Sequence, residues 1–157
     1  MQGCGYHIGG VRPELAAGIK TVSIPLFSNA TQETRIENVL TEAFRDQFSR
    51  LSSVRVVSRK EDADAVLHGR VTSASLEPVS FDAAFNVLEY TARVTVSLEL
   101  RSTRDNTVLW AADRLEESQS FKVISDALVF SDNREEAYLK IALRIAEKAL
   151  TRMLAGF

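Results

Sequence analysis

One cysteine in 157 residues leaves no partner for a disulfide within the chain. Only two histidines, His7 and His68, accompany it, so a zinc site with four nitrogen and sulfur ligands has too few donors. Three prolines and seven glycines leave long stretches free of backbone breakers, and five of those glycines fall in residues 1–18. No apolar run approaches the roughly 20 residues of a membrane-spanning helix. A net charge of −2 offers no basic excess to neutralise phosphates, which excludes general nucleic-acid binding. The sequence also lacks GxSxG, HExxH, CxxC and a glycine-rich phosphate loop, and so shows no constellation for an enzyme and no cofactor site. What is present, 45% hydrophobic and 25% charged residues, is the composition of one globular domain large enough to bury a core without staples.

The lone cysteine sits in Gly3-Cys4-Gly5-Tyr6-His7, followed by Ile8-Gly9-Gly10, a run too rich in glycine for a helix or a strand interior. Four roles compete for Cys4. An intermolecular disulfide needs a second chain. A Cys4/His7 metal pair lacks further ligands. A nucleophile needs an ordered setting with a base. Lipid attachment fits a small residue before the cysteine, as at the processed start of a bacterial lipoprotein. Met1 and Gln2 are too few to form an apolar signal segment and read as an added start or the last trace of a removed one. Residues 1–18 are expected to be a tether and loop, and residues 19–157 a single domain.

Periodicity divides that domain into elements. Val22, Ile24 and Leu26 alternate with polar positions, predicting a strand over 19–27 that is an edge strand or has Pro25 near its end. Thr34 and Glu37 have the spacing of a capping box, and Ile36, Leu40, Ala43, Phe44 and Phe48 share one helical face, predicting a helix over 33–50. A short strand over 53–58 follows. A long strand is expected from Ala65 to about Leu76, interrupted by Pro78, and a second over 87–101. In the second, Ala92, Val94, Val96, Leu98 and Leu100 alternate with Thr91, Arg93, Thr95, Ser97 and Glu99, giving one buried and one wet face. A strand over 107–116 and a loop over 117–132 precede a final helix over 134–154, capped by Asp132 or Asn133. The order β-α-β-β-β-β-α predicts an α+β two-layer sandwich. Two helices pack on one face of a four- to five-stranded mixed sheet with long strands.

Strands near 50 Å, at ~3.3 Å per residue, outrun such helices and project as a hairpin. Its tip holds Phe81 and Phe85, which either fold back or contact a partner. The wet-face residues Thr91, Arg93, Thr95 and Ser97 read equally as a binding face or as a solvated one. His68, on the polar parity of its strand, reads as a surface histidine. The carboxylate pairs Glu61/Asp62 and Glu116/Glu117 read as solvated charges rather than an acid/base dyad.

Taken in order, GCGYH, IKTVSIPLFSNATQE, ADAVLHGRV, LEYTARVTVSLEL and NREEAYLKIALRIAEKALTRML resemble the lipopolysaccharide-assembly lipoprotein family LptE over nearly the whole chain. The resemblance implies an outer-membrane lipoprotein on the periplasmic side, held to the membrane by lipid on Cys4. It further implies a chain that plugs the lumen of the β-barrel LptD and supports lipopolysaccharide delivery to the outer leaflet. Gly5 after the cysteine fits outer-membrane sorting in that context. The resemblance also raises direct lipopolysaccharide binding, for which Arg93, Lys122 and Arg134 are the basic candidates. SIPLFSN with ADAVLHGRV is similar as well to small lipoproteins that regulate envelope enzymes such as peptidoglycan synthases, the alternative reading.

Overall fold

The computed structural model describes residues 15–16 and 18–156. Cys4 and most of the expected tether lie outside them. Six strands and two helices follow in the order β1 (Thr21–Ser23), β2 (Ser28–Asn29), α1 (Ile36–Ser49), β3 (Arg55–Val57), β4 (Ala65–Phe81), β5 (Val87–Ser102), β6 (Val108–Lys122) and α2 (Ala127–Ala155). They form one mixed sheet in the order β3-β1-β4-β5-β6, with β2 pairing beside β4. β1 is parallel to β3 and β4, whereas β4, β5 and β6 are antiparallel. The sandwich is as expected, with one strand more: the strand expected over 19–27 is shortened to β1, and Ser28–Asn29, beyond Pro25, form β2.

The buried side chains show why the sheet has two unlike faces. Ala92, Val94, Val96, Leu98 and Leu100 of β5 are almost fully buried beneath the helices. β4 keeps its apolar residues on the same side by inserting one residue. Leu67 and Val71 face the helices, and after a bulge at Thr72 so do Ala74 and Leu76. Without the extra residue, strict alternation would turn Ala74 and Leu76 to the wet face. Gly69 is required by packing. A Cβ there would lie 2.4 Å from the Phe27 ring, which fills the space and meets Phe44 at a centroid distance of 5.1 Å.

Three expectations are corrected. The capping box does not form. Arg35, at φ 73°, is the cap residue of α1 without a side-chain bond, because Asn29 Nδ2 donates to Glu37 Oε2 at 2.9 Å and draws that carboxylate to the preceding turn. β4 runs through Pro78 to Phe81, since β4 has no neighbour at Pro78 except β5. Residues 117–132 are not a loop: β6 continues to Lys122, and α2 starts at Ala127 under a cap by Asp126, which accepts from Leu128 N–H at 2.8 Å. Asp132 and Asn133, the expected caps, lie inside the helix. Glu117 and Gln119 made that segment look like a loop. They face α2, where Lys148 pairs with Glu117 and Arg144 donates to Gln119 at 2.9 Å.

Candidate interaction surface

The β4–β5 hairpin ends in Asp82-Ala83-Ala84-Phe85-Asn86. The Asp82 carboxylate accepts from Ala84 N–H at 2.8 Å, Asn86 N–H at 2.9 Å and Asn86 Nδ2 at 2.9 Å. The bond from the Asn86 side chain, followed by that from its backbone, holds this carboxyl below its ordinary value. These bonds fix the turn while Phe85, at φ 64°, turns its ring outward. Phe85 is 86% exposed and Phe81 51%. The rings do not fold back onto the chain.

Four more apolar side chains are exposed at this end: Val79, Leu88, Ile124 and Leu128. Val123 N–H donates to Leu88 O at 2.9 Å, which sets Ile124 beside the hairpin. Behind them, Phe130 of the first α2 turn packs on Tyr90 at 5.8 Å and Phe121 at 5.7 Å and ties the helix start to the far end of the sheet. Sequence reasoning misses Ile124 and Leu128 as part of this surface, because it reads their segment as a loop. The signal was present in their apolar character beside Asp126, a good helix cap.

On the wet face Arg93 is engaged. Its Nη1 donates to Glu116 Oε1 at 3.1 Å, and its Nε lies 3.9 Å from Glu77. Glu116 also accepts from Arg114 at 2.6 Å and Thr95 Oγ1 at 3.0 Å, and these bonds, Arg114's first, hold its carboxyl below the usual range. Farther along, Thr91 and Ser120 hydroxyls meet at 2.8 Å. A shallow cavity of about 390 Å³ opens between this face and the β1–β2 turn, lined by Leu26, His68, Arg70, Ser97, Glu99 and Asp113 among others. His68 is exposed, as expected for the polar parity.

Of the three basic candidates, Arg93 and Arg134 each face an acid. Arg134 on α2 has its Nη1 3.9 Å from Glu33, whose carboxylate also accepts from Tyr138 Oη at 3.1 Å. Burial, then the Glu33 charge, pushes the Tyr138 phenol well above its ordinary value. Lys122 differs. Among the described residues its ammonium has no ion pair, and it stands at the end of β6 beside the apolar tip. Among the described residues no cluster of three histidine, cysteine or acidic side chains could hold a metal ion. No described helix is long and apolar enough to cross a membrane.

The fold is shared with solved lipoproteins. It is similar to the solution structure of lipoprotein B from Nitrosomonas europaea, with a TM-score of 0.62 and 17% identity over 96% of this chain and 91% of that one. It is also similar to rare lipoprotein B from Shewanella oneidensis, with a TM-score of 0.56 and 19% identity over 87% of this chain and 95% of that one. A hypothetical protein from Chlamydia trachomatis reaches a TM-score of 0.62 at 9% identity, over 87% of this chain and 96% of that one. No curated protein sequence matches. At such identities these likenesses establish the architecture alone. The sequence itself carries the family, since residues 19–153 match LptE, lipopolysaccharide-assembly, and the chain therefore belongs to that family.

Proposed function

We propose that this chain is a non-enzymatic lipoprotein, anchored through Cys4 to the periplasmic side of the outer membrane. It plugs the LptD β-barrel and supports delivery of lipopolysaccharide to the outer leaflet. The observation that carries the reading is the far end of the sheet. Six large apolar side chains, Val79, Phe81, Phe85, Leu88, Ile124 and Leu128, are exposed there together, a cost that contact with a partner removes. The polar sheet face with Arg93 suits a barrel lumen, which is polar. The chain enters at the opposite end, where Val22 of β1 pairs with Ala65 at the start of β4. Any direct lipopolysaccharide contact falls to Lys122, beside the apolar end, rather than to Arg93 or Arg134: among the described residues Lys122 makes no ion pair, although Glu89 stands opposite it in the ladder.

The test is co-purification with LptD. Phe81→Asp with Phe85→Asp should lower recovery of the barrel complex by about tenfold or more, since losing buried aromatic anchors typically costs ~2 kcal/mol or more. The melt of the isolated protein should stay nearly unchanged. Normal assembly of a folded double variant, or capture of a cell-wall synthase in place of a barrel, overturns the reading.

A further inference from the structure

The far end of the sheet has two long open edges, and the chain treats them differently. β6 is the outer strand on one side. Its outward carbonyls are occupied by side chains: Arg144 Nη2 donates to Ser118 O at 2.8 Å, Gln119 Nε2 to Ser120 O at 3.0 Å, and Asn133 Nδ2 to Lys122 O at 3.2 Å. An incoming strand would have to displace all three, a common way of blunting an edge. On the other side, β1 and β2 cover β4 only as far as Val71, whose carbonyl accepts from Ala30 N–H at 3.0 Å. Beyond it, residues 72–81 pair with β5 alone.

The ladder shows which backbone groups of that stretch face outward. Thr95 O receives the Thr72 hydroxyl at 3.1 Å, so Thr95 is directed at β4, and its partner Ser73 is directed back at β5. Alternation along an antiparallel pair then points the N–H and C=O of Ala74 and Leu76 away from β5. Among the described residues nothing bonds to them. Pro78, at the next outward position, has no N–H and ends the run. The open stretch between Val71 and Pro78 spans about 20 Å at ~3.3 Å per residue.

We propose that this edge takes a short extended segment of the barrel partner by strand addition. The proposal rests on the barrel reading above. In a closed barrel every wall strand is paired on both sides, so the segment comes from a loop or terminal stretch outside the wall that reaches into the lumen. The edge also fixes the kind of segment. Residues set beside Ala74 and Leu76 continue the half-buried apolar face under the helices. Residues set beside Ser73 and Ser75 continue the wet face and meet only small hydroxyls. A run of about five residues alternating apolar and polar satisfies both faces.

The test exploits the parity of the edge. Ala74→Pro removes an outward N–H and no bond of the ladder, so the isolated protein should keep its melt within about 3 °C. Recovery of the LptD complex should fall by about tenfold or more, because the variant loses an intermolecular bond and obstructs the approach. Amide exchange at Ala74 and Leu76 should be fast in the isolated chain and slow by at least about 100-fold in the complex. This second measurement decides the matter if Ala74→Pro fails to fold. Normal assembly of Ala74→Pro, while Phe81→Asp with Phe85→Asp fails to assemble, overturns the strand addition and leaves the plug. Normal assembly of both overturns the two together. Slow exchange in the isolated chain also overturns the proposal. If it vanishes on dilution, a second copy holds the edge, and if it does not, the chain's own backbone does.

Discussion

Asp64 stands where three parts of the chain meet. Its carboxylate accepts from Lys20 N–H at 2.9 Å, Thr21 N–H at 3.0 Å and Thr21 Oγ1 at 3.1 Å, and its own N–H donates to Thr21 Oγ1 at 2.9 Å. Its carbonyl accepts from Thr103 N–H at 2.9 Å, at the turn after β5. The bond from Lys20, outweighing the opposing effect of burial, holds the carboxyl below its ordinary value, with Arg104 3.9 Å away adding its charge. A carboxyl lowered in the folded state stabilises fully above its unfolded value of about 3.9, and that contribution is lost as pH falls through the folded value. Asp64→Ala should cost roughly 1–3 kcal/mol in urea denaturation at neutral pH, as for bonds to a charged group. The deficit relative to the unsubstituted protein should shrink as pH falls below the unfolded value and on through the lowered folded one. A deficit unchanged between neutral and acid pH would assign the loss to packing.

At the scale of elements, the β5 strand and the α2 helix make opposite demands on the sequence. β5 shows its structure in its alternation, and neighbouring residues should respond unlike one another. Leu98 is 3% exposed and faces the helices. Leu98→Ala should cost about 2–5 kcal/mol from lost burial and a cavity. Glu99→Ala removes a half-exposed pair with Arg101 at 2.7 Å and should cost under about 1 kcal/mol. Equal midpoint shifts in urea would show the face assignment to be wrong. α2 instead depends on one residue at its start. Asp126 accepts from Leu128 and Val129 N–H at 2.8 and 3.4 Å. Asp126→Ala should cost about 1 kcal/mol and reduce helical circular dichroism by roughly the first turn. That turn holds Phe130 on Tyr90 and Phe121, so the loss should also loosen the aromatic cluster behind the tip. An unaltered melt and spectrum would mean that the aromatic packing alone holds the turn.

Across the whole molecule, burial is unevenly spread. The largest fully buried side chains, among them Phe44, Phe48, Leu67, Leu100, Ile141 and Ile145, lie on α1, on α2 and on the sheet where the two helices cover it. Beyond Val71 in β4 no side chain is fully buried, and in β5 the fully buried run starts at Ala92. Regions with few buried apolar contacts open at lower free energy than the core. Amides of the far hairpin facing between β4 and β5, such as Ser75 and Glu77, should therefore exchange faster in the isolated protein than those of Val94 to Leu100. Uniform protection would show that the hairpin is as cooperative as the core. The gradient suits the proposed role, since the end that meets a partner can adjust without disturbing the packed half.

Much of this was legible in the sequence where a local period coincided with burial. β5 and the stripe of α2 from Ala137 to Met153 could be read directly, because one face of each is apolar and the other polar. The projecting hairpin followed from strand length alone, as strands longer than the helices leave their ends uncovered, but that Phe81 and Phe85 do not fold back was decided only by the tertiary structure. Other features depend on residues far apart in the chain, and no local window contains them. The Thr72 bulge exists because β5 fixes the register of β4. Glu117 and Gln119 lie in a strand because Lys148 and Arg144, on a helix some 25 to 31 positions later, satisfy them. Thr34 and Glu37 form no capping box because Asn29 competes for the carboxylate. Which of the three basic candidates meets an acid was likewise not legible: only the tertiary structure sets Glu116 beside Arg93 and Glu33 beside Arg134. A local pattern determines which face of an element seeks burial, whereas which polar groups are satisfied, and which edge stays open, is decided only when distant elements meet.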